Sequence, residues 1–247
     1  MGKIHVVTRK EEIDEVKMDN KIAVVFDVLL ATSTIATVLH HGAVSVIPVL
    51  DGDQARKRAA GISTDEYILV GEYEGRTIEG FLDPNPSVLK DTAAGKKVIL
   101  STTNGTIAVH KSSPAKKVYA CSLLNSKAVA DVLTAAHEDE TIIIVCSGSS
   151  GQFSLEDFYG AGYLIHQLTA QEGWNLSDSA LTAKLFYEGS SHEQALVLGQ
   201  SRVGKMLEEY GFREEITFIS NQDCFHTVPV LIGDELVDFH RIKVSSN

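Results

Sequence analysis

Four short polar stretches in this sequence combine carboxylates, hydroxyls and glycines in a way that suits anion chemistry. The first is VVFDVLLATST, in which Asp27 follows an apolar run and Thr32, Ser33 and Thr34 come shortly after. A carboxylate suits a hard cation such as Mg²⁺, while hydroxyls and free amides at a helix start suit an anion. The second is GEYEG, where Glu72 closely follows the apolar pair Leu69-Val70. The third, STTNGT, offers Thr103, Asn104, Gly105 and Thr106. These are small donors beside a glycine that permits close backbone approach, the ingredients of a phosphate or sulfonate cradle. It is not a P-loop, because the G-x-x-x-x-G-K-[ST] pattern is missing. The fourth, CSGSSGQFSLED, places Ser147, Gly148 and Ser154 ahead of Glu156 and Asp157.

Each stretch has an ordinary reading as well. Hydroxyls before a helix cap it, and carboxylates in a first turn are favoured by the helix dipole. Together the four carry more weight. Asp27, Glu72, Glu156 and Asp157 become candidate metal ligands, with Asp27 and Asp157 the candidate catalytic carboxylates. Thr32, Ser33, Thr34, Thr103, Asn104, Gly105, Thr106, Ser147, Gly148 and Ser154 become candidate substrate contacts.

For these residues to meet, the elements before them must share a sheet. Ile22–Val28, Val44–Val49, Tyr67–Val70, Val98–Ser101, Val118–Ser122 and Ile142–Ser147 read as strands, being β-branched runs bounded by turn residues. Thr32–His41, Gln54–Gly61, Thr106–Lys111 and Lys127–His137 read as helices between them. Strands that are apolar throughout are covered on both faces, so the expected fold is a three-layer α/β/α sandwich. Helices are expected from Ser154 to about residue 171, over Leu176–Glu188 and over Gly199–Gly211. Strands are expected at Ile216–Ser220, Val228–Ile232 and Leu236–Val244. A hairpin turn at Gly233-Asp234 makes the sheet mixed, though mostly parallel. In such sheets ligands bind at the carboxyl ends of strands, where all four polar stretches fall. No linker divides residues 1–247, which read as one domain; two closely joined subdomains would also fit.

Composition narrows the partners. Lys plus Arg number 22 against 33 Asp plus Glu, a formal charge of −11. Neither nucleic acid nor an anionic membrane surface is an expected partner for such a chain. An anionic substrate would need a local cation to overcome the background field. The three cysteines have no C-x-x-C spacing, and the N-terminus has no apolar signal region, so the cytoplasm is the expected location. A homodimer is left open. His226, in DCFHTVP, reads as structural rather than as a general acid.

The order of D-V-x-x-A-T-S-T at Asp27–Thr34, G-E at Gly71-Glu72 and S-T-T-N-G-T at Ser101–Thr106 resembles the 2-phosphosulfolactate phosphatase family. G-F…N-x-S at Gly80–Ser87, C-S-G…S-L-E-D at Cys146–Asp157 and D…V-P at Asp223 and Val228-Pro229 belong to the same resemblance. It spans nearly the whole chain. It implies an α/β/α fold, Mg²⁺ dependence and hydrolysis of 2-phosphosulfolactate to sulfolactate and phosphate, in coenzyme M or sulfolactate metabolism. Two places depart from the family pattern: Leu30 stands where arginine is usual, and Pro84-Asn85-Pro86-Ser87 stands where G-N-S-P is usual. Arginine is the fork that best grips sulfonate or phosphate, so Leu30 bears on the substrate more than on the reaction.

A haloacid-dehalogenase-type phosphatase would need a second aspartate at the position of Leu29, which disfavours it. A non-catalytic module that binds a small phosphorylated or sulfonated metabolite would need the hydroxyl loops but not a converging set of carboxylates.

Overall fold

The computed structural model describes residues 2–137, 139–170, 173–190 and 193–244. Its strands are β1 (Gly2–Val7), β2 (Ile22–Phe26), β3 (Ser45–Val49), β4 (Tyr67–Tyr73), β5 (Arg76–Thr77), β6 (Lys97–Ser101), β7 (Lys117–Cys121), β8 (Thr141–Cys146), β9 (Trp174–Leu176), β10 (Pro229–Ile232) and β11 (Glu235–Asp238). The α-helices are α1 (Ala31–His40), α2 (Gly52–Ala59), α3 (Pro86–Leu89), α4 (Gly105–Ser112), α5 (Ser126–His137), α6 (Leu155–Leu168), α7 (Asp178–Ser190), α8 (Gln194–Gln200), α9 (Arg202–Glu209), α10 (Arg213–Ile219) and α11 (Phe239–Val244).

The strands form one mixed sheet in the order β5-β4-β6-β3-β11-β10-β7-β2-β8-β1-β9. It contains two parallel groups. β4, β6 and β3 make one, and β7, β2, β8, β1 and β9 make the other. The antiparallel hairpin of β10 and β11 joins them, turning at Gly233 with φ +63°. Counted across that hairpin, the two groups run in opposite senses.

Side-chain alternation shows why the layers hold. On one face Ala23 and Val25 of β2 share a core with Val46, Val98, Leu100 and Val70 of the other group. Helices α1 and α4 contribute Ile35, Val38, Leu39, Ala108 and Val109 to it. On the opposite face Ile22, Val24 and Phe26 pack under α5, α6 and α7, while Ile47, Val49 and Ile99 pack under α2. Helices therefore cover both faces, as a three-layer α/β/α sandwich requires. Both strand groups close on α1 and α4, and this brings together loops that a flat sheet of this topology would hold apart. Helix α6 lies flush on α7 because of Gly162, where a β-carbon would come 2.1 Å from the Ala183 carbonyl.

Two expected strands are corrected. Ile216–Ile219 belongs to α10, with Ser220 its C-cap, and the buried Ile216 and Ile219 have helical spacing behind an acidic first turn of Glu214 and Glu215. The strand expected over Leu236–Val244 stops at Asp238 and continues as α11. The helix expected to reach residue 171 ends at Leu168, and residue 171 lies outside the described residues. Strands β1, β5 and β9 lie outside the expected set. β1 alternates buried Ile4 and Val6 with exposed Lys3 and His5.

Candidate active site

Asp27 is one residue past β2 and almost wholly buried, at 7% exposure. The turn that follows is held by its own hydroxyls. Thr32 Oγ1 accepts from the Asp27 amide and donates to the Asp27 carbonyl. Ser33 donates to the Val28 carbonyl, and Thr34 to the carbonyls of Leu30 and Pro84. All three hydroxyl residues are buried. Their placement gives them the work of shaping the loop: with backbone donors and acceptors satisfied locally, the buried turn keeps Asp27 fixed. The Leu29–Leu30 peptide in this turn is cis.

The exit of β6 comes directly against this carboxylate. At Gly105, the first residue of α4, a β-carbon would lie 2.5 Å from Ala31 Cβ and 2.6 Å from Asp27 Oδ2. Only glycine permits that approach. Thr102 and Thr106 brace the turn by exchanging amide-to-hydroxyl bonds of 3.2 and 3.1 Å. Glu72, near the end of β4 where that strand pairs with β5, accepts from the Thr103 amide at 2.7 Å, the Thr103 hydroxyl at 3.0 Å and the Gly75 amide at 2.8 Å. The exits of β4 and β6 are thus tied to one another.

On the other side, Asp157 ties β2 to β8. Its two carboxylate oxygens accept from the amides of Val28 at 2.8 Å and Gly148 at 3.1 Å. Ser154 caps α6 by accepting from the Asp157 amide. The Ser147 amide donates to the Phe26 carbonyl, and its own carbonyl receives the Lys10 amide. Gly148 has φ +69°, and a β-carbon there would meet Gln152 O at 2.7 Å.

These loops surround a cavity of about 390 Å³, within the usual size range of small-molecule sites, about 300–1,000 Å³. Asp27, Glu72, Thr103 and Asn104 reach its wall, together with Thr102, Asn85, Ser149 and Ser150. Of the other expected residues, Gly105 and Thr106 support the wall from α4, while Thr32, Ser33, Thr34, Ser147, Gly148, Ser154, Glu156 and Asp157 are not among the residues lining it.

Two residues that no motif marked belong to the same place. Lys10 is buried, and its Nζ donates to Asn104 Oδ1 at 2.7 Å and pairs with Glu11 at 3.0 Å. Arg202, at the start of α9, also lines the cavity. Recognising the alternation of β1 would have placed the RKEE segment at a strand exit and drawn attention to Lys10. Arg202 carries no comparable signal.

Negative charge is concentrated here. Burial pushes the Asp27 carboxyl up to about 7, helped by the charges of Glu72 and Glu156 and opposed by Lys10 and the Ala31 amide. Burial also raises Asp157 well above the usual carboxylate range, with Asp27 and Glu156 adding to the effect. Glu156 is raised by burial, against hydrogen bonds that include Ser154 and Ser201. A divalent cation would relieve this repulsion. Mg²⁺ commonly uses one or two protein carboxylates besides water and substrate phosphate, and Asp27 and Glu72 in the cavity wall fit that requirement. Among the described residues, no three His, Cys, Asp or Glu side chains are grouped as a ready metal cage.

The sequence model for 2-phosphosulpholactate phosphatase matches residues 7–234. The chain is 37% identical over 230 residues to a probable 2-phosphosulfolactate phosphatase of Clostridium perfringens (strain SM101 / Type A), covering 92% of each. A protein of the same name from Clostridium novyi (strain NT) is 33% identical over 245 residues, covering 98% of this chain and 99% of its own. One from Thermotoga petrophila is 36% identical over 216 residues, covering 86% of this chain and 90% of its own.

Proposed function

The chain belongs to the 2-phosphosulpholactate phosphatase family, and on that premise we propose that it hydrolyses 2-phosphosulfolactate to sulfolactate and phosphate with the help of Mg²⁺. The observation that carries this reading is the convergence on Asp27. A buried carboxylate, the first turn of α4 and the Lys10–Asn104 pair meet at the wall of one cavity.

Each part has a task in phosphoryl transfer, which is mostly positioning and charge stabilisation. Asp27 and Glu72 would hold the Mg²⁺. When bound, the metal neutralises phosphoryl oxygens and the leaving alkoxide. The close fit of Gly105 lets the amides at the start of α4 approach the phosphoryl oxygens, where a helix N-terminus favours negative charge. Lys10 favours the ionised form of Asp27 and orients the Asn104 carboxamide, so that the amide's nitrogen can face the substrate. Glu72 and Asp157 hold the strand exits in register. Apolar Leu29 and Leu30 in the wall limit water around the substrate's carbon chain.

No helix among the described residues is long and apolar enough to cross a membrane. A cytoplasmic enzyme of sulfolactate or coenzyme M metabolism is consistent with that and with the charge of −11. The test is phosphate release from 2-phosphosulfolactate and a small panel of phosphorylated hydroxy acids, with Mg²⁺ and with EDTA. Release should require Mg²⁺ and favour 2-phosphosulfolactate. Absence of release from every compound under both conditions would support a binding module instead.

A further inference from the structure

The cavity wall also carries charge that phosphoryl chemistry leaves unexplained. Among the described residues the wall carries four acidic side chains, Asp27, Glu72, Glu74 and Asp83, against one cationic side chain, Arg202. In a chain of net charge −11, a cation held by Asp27 and Glu72 would still leave Glu74 and Asp83 opposing a second anionic group, and Arg202 is the side chain that can offset them. Arg202 is also held in place. One of its terminal nitrogens donates to the Ser149 carbonyl, and its charge also acts on the buried Glu156 carboxylate, so one bond of a five-donor fork is accounted for.

The backbone beneath Arg202 is fixed as well. Ser201 caps α9, accepting from the Gly204 amide at 2.9 Å. At Gly204 a β-carbon would lie 2.0 Å from the Leu198 carbonyl, so α8 and α9 meet in a tight corner. That corner sets where Arg202 projects. Asp27 and Arg202 thus line the same cavity from different elements, one at the exit of β2 and the other at the start of α9.

We propose that Arg202 is the specificity residue of this site: its guanidinium receives the acid group on the substrate's carbon chain while the phosphoryl group stays at Asp27. The chemical class it selects is a phosphomonoester whose alcohol carries a sulfonate or carboxylate. A planar fork binds such an oxyanion bidentately, which a lysine cannot reproduce. The proposal rests on the phosphatase reading for which end takes the phosphate, but the acid-group contact can be tested without turnover.

The experiment compares Arg202→Met and Arg202→Lys with the parent in two ways. The first is kcat/KM for 2-phosphosulfolactate relative to glycerol 2-phosphate, whose chain has no acid group. The second is calorimetric binding of sulfolactate and of inorganic phosphate. In Arg202→Met the specificity ratio should fall about 10–100-fold, the size expected for losing a charge-assisted pair, mainly through KM. Sulfolactate binding should weaken by a similar factor and phosphate binding much less; Arg202→Lys should lie between. Equal losses on both substrates, or on sulfolactate and phosphate alike, would mark a merely structural role and overturn the proposal. If the parent hydrolyses neither ester, the phosphatase reading fails while calorimetry still decides this one. Loss of sulfolactate binding in Arg202→Met would uphold it, and unchanged or absent binding in the parent and variant would overturn it.

Discussion

At the scale of single residues, Asp27 is where burial and function oppose each other. Burial and the neighbouring charges of Glu72 and Glu156 lift its carboxyl from 3.8 to about 7. In metal-free protein the folded chain therefore keeps a proton there that the unfolded chain has released. Between these two values the folded state binds more protons, so stability falls as pH rises, and the penalty is complete above about pH 7. Asp27→Asn removes that penalty. Thermal unfolding in EDTA should give the variant a midpoint higher than the parent's by about 2 °C or more at pH 8, shrinking to no difference near pH 4. A difference independent of pH would contradict this cause. Asp27 stands out in the sequence only beside the other polar stretches, because a single carboxylate after an apolar run can equally be a solvated one. The roles of Thr32, Ser33 and Thr34 were less legible, because composition does not reveal which hydroxyls their own loop consumes. Lys10 and Arg202 come from segments without a motif and become visible only when the chain is folded.

At the scale of elements, the site depends on ties between strand exits. Glu72 joins β4 to β6 through the Thr103 amide and hydroxyl. Asp157 joins β2 to β8 through Val28 and Gly148. Glu72→Ala leaves the partly buried Thr103 amide without its acceptor, which should cost about 1–3 kcal/mol of stability. Denaturant unfolding would show it as a lower midpoint with an unchanged slope. An unaltered midpoint would mean that the tie does not matter. The central strands β2, β3, β6, β7 and β8 could be read from the sequence because they are apolar on both faces. β1 could not be read so easily, since its alternation is short and flanked by charges. Ile216–Ile219 misled for the opposite reason: a short β-branched run fits a strand or one turn of helix, and packing decides between them.

At the scale of the whole molecule, the unusual feature is that two parallel strand groups of opposite sense share one core layer. Val46, Val70 and Val98 from one group and Val25, Val118 and Val145 from the other pack on α1 and α4. Neither group can lose that layer without exposing the other, so the chain should unfold as one unit. Trp174, the single tryptophan, is in β9 at one end of the sheet, while far-ultraviolet circular dichroism reports every element. Their thermal transitions should coincide, and separate midpoints would reveal two subdomains. The shared layer is also what carries Asp27 to Gly105, from one strand group to the other. The most direct measurement is therefore phosphate release from 2-phosphosulfolactate by the parent and by Asp27→Asn, both in Mg²⁺ and both shown to be folded. The variant should lose about 10³-fold or more of kcat, comparable to removing a principal electrostatic contact to the transition state. Turnover at the parent's rate would contradict the central claim that this carboxylate is the centre of the site.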